Sequence, residues 1–91
     1  MAEDAARETL RAEMVALLAA RGHAAETGRA ALGRLERAFA EEPALRSPEL
    51  ERMAGDLRLA LEQGAGQRLG GKSAEAARLI LRAIARELGP A

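Results

Sequence analysis

Residues Gly66–Ser73 read GQRLGGKS, and how they are read decides the fold. The letters match the phosphate-binding loop pattern G-x-x-x-x-G-K-[ST]. A working loop of that kind joins a buried parallel strand to a helix whose N-terminus receives the phosphates, so a functional match would require an α/β protein. The other reading is a corner between two helices, where Gly64, Gly66, Gly70 and Gly71 give the backbone access to positive φ.

The residues upstream choose between them. Leu57-Arg58-Leu59-Ala60-Leu61 alternates, but a strand covered on both faces is nearly continuously apolar, and Arg58, Glu62 and Gln63 interrupt the run. No other segment supplies a parallel neighbour, and no apolar run ends in an Asp that would help hold magnesium. Composition agrees. The chain has 23 Ala and 14 Leu, against only Thr9, Val15, Thr27, Ile80 and Ile84 as β-branched residues and Phe39 as its one aromatic. Strands favour β-branched and aromatic side chains, and six cannot furnish a sheet. The stretch is therefore a glycine corner, with Lys72 and the start of the following helix as a nonspecific anion contact.

Working outward from that corner, caps and periodicity define four helices. The last runs over about 73–88, with Ser73 as its cap and Glu75 in its first turn. Before the corner, Ser47-Pro48-Glu49 places a cap, a proline at the first helical position and an acid in the first turn. This opens a helix over 48–63 with Leu50, Met53, Ala54, Leu57, Ala60 and Leu61 along one face. A helix over 24–42 carries Gly28, Ala31, Leu32, Leu35, Ala38 and Phe39 and stops at Pro43, since the residue before proline is pushed out of the helical region. The first helix, 4–21, has Asp4 as its cap, Leu10, Met14, Leu17 and Leu18 as its face, and Gly22 as its stop. A single kinked helix through residues 4–42 is the alternative for the first two. Four apolar stripes joined by short connections predict an all-α antiparallel bundle in one domain, residues 1–91.

Several function classes lose support at this level. The absence of Cys removes disulfides and thiolate metal sites. With one Phe and neither Trp nor Tyr there are no platforms for stacking single-stranded bases. His23, the one histidine, has only Glu26 as a nearby ligand type, a poor metal set. Thr9, Thr27, Ser47 and Ser73 are the only hydroxyl nucleophile candidates; two are helix caps, and none has a flanking His–acid pair. No enzyme activity and no cofactor are expected. The opening MAEDAARETL lacks the basic and apolar regions of a secretory signal, and no run approaches the ~18 apolar residues of a membrane span. A cytoplasmic protein is expected.

Two features of the last helix stand out. At about 100° per residue Glu75, Arg78, Arg82 and Arg86 gather on one arc, and apolar residues occupy about two-thirds of the circumference with Glu87 the one interruption, far wider than the single stripe a surface helix needs. Such a helix must be covered on two sides. The expected partner surface is Leu79, Ile80, Leu81, Ile84 and Leu88, with Leu59 of the preceding helix beside it, and the expected partner is a second copy of the chain or another protein. On that reading Ile84→Asp disrupts assembly. The second feature is the arginine row itself. Lys and Arg balance Asp and Glu at 14 each, yet residues 1–65 are net −3 and residues 66–91 net +3. Arg78, Arg82 and Arg86, with Lys72, could meet phosphates. The alternative is thus an oligomeric nucleic-acid-associated subunit, such as a regulator or a phage-type packaging adaptor, that gains affinity by repeating the row.

Overall fold

The structure is a computed structural model that describes residues 2–20, 24–63 and 72–89. Among them are four α-helices, α1 (Ala2–Ala19), α2 (Ala24–Glu41), α3 (Pro48–Gln63) and α4 (Lys72–Leu88), a 3-10 turn at Pro43–Leu45, and no strand. The all-α bundle is therefore what the chain forms. The glycine corner at 64–71 lies outside the described residues, as do His23 and the Gly22 stop.

Local chemistry accounts for most of the boundaries. The hydroxyl of Ser47 accepts the Leu50 N–H at 3.2 Å, and its carbonyl accepts the Glu51 N–H at 2.9 Å; Pro48 follows at the first helical position, where its missing N–H costs nothing. α2 ends at Glu41, just ahead of Pro43, as the proline demands. α1 begins at Ala2 rather than at Asp4. Ala2 and Glu3 are strong helix formers, so Asp4 falls inside the first turn, where its charge still suits the positive end of the helix. α4 begins at Lys72, one residue before its expected cap.

Cross-links between helices fix the topology. Glu13 of α1 pairs with Arg34 of α2 at 2.7 Å, Glu36 of α2 pairs with Arg58 of α3, and Arg7 near the start of α1 donates to the carbonyl of Glu87 near the end of α4 at 3.1 Å. Each joins neighbouring helices that run antiparallel, giving an up-down-up-down bundle, 42 Å long and about 22 Å across (42 × 23 × 21 Å). α1 and α2 pack on each other, which a single kinked helix could not do.

The core is built from the expected faces of the first three helices, Leu10 and Met14 from α1, Ala31, Leu35 and Phe39 from α2, and Leu50, Ala54, Leu57 and Leu61 from α3, together with Ala77, Leu81, Ile84 and Leu88 from α4. α2 and α4 each touch all three other helices, so they lie across the short diagonal of the bundle. Small buried residues, Ala31 on α2 and Ala77 on α4, leave room for that approach. The sequence reading did not anticipate Leu45. The turn after Pro43 packs on α1 and α2 and buries this side chain completely, and the guanidinium of Arg46 lies 5.5 Å from the centre of the Phe39 ring, within cation–π range.

Candidate functional site

The expected partner surface divides in two. Leu81, Ile84 and Leu88 are 1%, 0% and 2% exposed and belong to the chain's own core, with Ile80 half-buried against it. This corrects the expectation for those residues. The wide apolar arc of α4 is covered within the chain, because the helix sits against α1, α2 and α3 at once. A helical wheel shows how much of a helix must be covered but not by how many neighbours.

Leu59 and Leu79 behave differently. They are 53% and 57% exposed, and with Val15 at 47% they are the large apolar side chains that stand in solvent among the described residues. Leu59 lies opposite the buried face of α3, as its position in the sequence implied. Leu79 lies on the outer face of α4 beside the arginine row. Within that row Arg82 and Arg86 are exposed and Arg78 is half-buried. Among the described residues none of the three has a carboxylate within 4.0 Å, whereas Arg34, Arg46 and Arg58 are paired with Glu13, Glu51 and Glu36. The side chain of Lys72 lies outside the described residues, so the structure does not place it with the row.

A further surface was missed in the sequence. Thr9, Ala12, Val15, Ala16 and Ala19 are all exposed and fall within an arc of roughly 120° at 100° per residue. From Thr9 to Ala19 the solvent face of α1 carries no charged side chain. Arg11 and Glu13, the charges in that stretch, are half-buried on its flanks, and Glu13 is tied to Arg34. The solvent face of a bundle helix is normally polar or charged. The signal was present as the uncharged run MVALLAA, residues 14–20, which is apolar all round; a search for large side chains passes over it because most of its outward members are alanine.

This face adjoins the arginine row. α1 and α4 are neighbours, with Arg7 at the Glu87 carbonyl and the Arg11 side chain against Gly89. Where they meet, Asp4, Arg7, Glu8, Arg11, Leu88 and Gly89 line an open groove of about 290 Å³. Asp4 and Glu8 are exposed, and neither has a cationic side chain within 4.0 Å among the described residues. One side of the bundle thus presents an uncharged small-residue helix face, an exposed leucine, free arginines and free carboxylates. No described helix is long and apolar enough to cross a membrane. No family model matches the chain, and no curated protein or solved structure matches it.

Proposed function

We propose that this chain is a cytoplasmic, non-enzymatic interaction protein that acts through protein–protein contact and self-association on the α1/α4 side of the bundle. The observation that carries the reading is the charge-free solvent face of α1 from Thr9 to Ala19, with Val15 along one edge and Leu79 of the neighbouring helix also exposed. Covering exposed apolar surface is the main drive for association, and alanines let a partner's backbone come close. α4 contributes Leu79, with Arg82 and Arg86 at its side, rather than the buried Leu81, Ile84 and Leu88. Leu59 is a separate exposed contact on α3. Light scattering after size exclusion, over a concentration series, tests the proposal: a discrete multiple of 9.6 kDa is expected, and Leu79→Asp and Val15→Asp should each lower it without loss of helix.

A second reading is supported by the arginine row. Its three members share one arc of α4 and have no carboxylate partner among the described residues. On that reading an oligomer presents repeated rows to nucleic-acid phosphates. Three arginines per chain give little affinity at physiological salt, so the assembly would be a precondition. Titration with duplex DNA at two salt concentrations distinguishes it: Arg82→Glu should abolish a salt-sensitive interaction, and binding that survives the substitution places the contact elsewhere.

A further inference from the structure

We infer that the occupant of the α1/α4 side is a second copy of this chain, docked about a two-fold axis parallel to the helices, so that α1 of each copy lies antiparallel on α4 of the other. This rests on the self-association reading above and specifies its contact.

The register follows from two contacts. Arg7 meets Glu87, and Arg11 meets Gly89. Extended along antiparallel helices of equal rise, the first puts Leu79 level with Val15 and Arg86 level with Glu8, and the second shifts each six residues further along α1; midway, Leu79 stands level with Leu18 and Arg86 with Arg11, one turn from Glu8. A two-fold axis parallel to the helices preserves height while exchanging α1 for α4. It therefore seats Leu79 over the partner's Val15–Ala19 stretch and brings Arg86 within one turn of the partner's Glu8. Apolar surface meets apolar surface, and a free cation meets a free anion.

Charge selects this axis over its competitor. A two-fold axis in the same plane but perpendicular to the helices would lay α4 on α4, setting Arg78, Arg82 and Arg86, with Glu75 the one carboxylate on their arc, against their copies. Like charges across an interface oppose docking. Because that axis reverses height, Asp4 and Glu8 at the start of α1 would lie towards the far end of the partner's α1, where no described residue is a cation. With the parallel axis every interaction occurs twice, as an isologous contact requires.

The chain contains no cysteine, so single-cysteine variants report the contact cleanly. Val15→Cys chains mixed with Leu79→Cys chains and mildly oxidised should give a mixed disulfide dimer, with little product from either variant alone. A dominant product from each variant alone would mean like helices face each other, which overturns this docking. A discrete wild-type dimer that gives no mixed product also overturns it, while leaving self-association standing. A wild-type mass of 9.6 kDa at every concentration removes self-association and this inference together. As a second readout, Glu8→Arg and Arg86→Glu should each weaken the dimer by on the order of two- to fivefold per ion pair, and combining them in one chain should restore it. Failure of the combined variant to recover affinity counts against the pairing.

Discussion

Gly28 of α2 backs onto Leu61 of α3 with no room for a side chain: a Cβ at Gly28 would stand 2.9 Å from Leu61 Cδ2. Real Cβ atoms essentially never come so close, and Leu61 is itself 7% exposed, so it has little space into which to retreat. The glycine was visible in the sequence as a member of the inward face of the second helix. In the structure it is a point where the backbone of α2 packs against a side chain of α3.

Gly28→Ala should therefore lower stability. Alanine gains up to about 1 kcal/mol in helix propensity, but overpacking a filled site costs about 1–3 kcal/mol, leaving a net loss of up to about 2 kcal/mol. Urea denaturation followed by circular dichroism measures it. A gain equal to that of an exposed glycine would show that Leu61 moves aside freely.

Gly33 and Gly55 supply that comparison. Both are exposed in mid-helix with nothing within 4 Å of an added Cβ. Gly33→Ala and Gly55→Ala should each stabilise by about 0.5–1 kcal/mol, raising the melting temperature by roughly 2–8 °C for a domain of this size. A fall in melting temperature at either position would point to a contact that uses the missing side chain.

Ile84→Asp, which the sequence reading took as a probe of assembly, becomes a probe of folding. Ile84 is 0% exposed, and an unpaired carboxylate there has no partner to offset its desolvation. The variant should be largely unfolded at any concentration, and Ile84→Ala should cost about 2–5 kcal/mol. A well-folded Ile84→Asp monomer would contradict the placement of α4 at the centre of the bundle. Leu79→Asp, one helical face away, should keep the wild-type melting curve of the isolated chain.

Ser47→Ala removes the hydroxyl that accepts the Leu50 N–H. The expected loss is about 1 kcal/mol, read by thermal melting. Ser47→Asp should retain most of the stability, since a carboxylate caps the same N–H. Equal losses for both would mean the cap contributes little.

Much of the bundle was legible because its signals are local. Ser47-Pro48-Glu49 and Pro43 are read from neighbouring residues, and the faces of α2 and α3 from spacing alone. Leu45 was not legible, because a single leucine after a proline has no periodicity to announce it; only the turn geometry carries it inward. The surface was harder still. Leu79 and Ile84 are both apolar members of the same wide arc, and which of them faces solvent depends on three neighbouring helices rather than on α4. The outer face of α1 escaped because alanine serves equally as helix former, filler and contact.

The packing of Phe39 beneath Arg46 has a spectroscopic consequence. The chain carries a single benzenoid ring, and that ring is buried in the core on α2, close to the Pro43–Leu45 turn. Strong ring-current shifts in its proton spectrum can therefore originate at one place only. A methyl resonance displaced upfield would report, without any label, whether that end of the bundle is closed, and its return to a random-coil position would time the opening of that end separately from the loss of the helices.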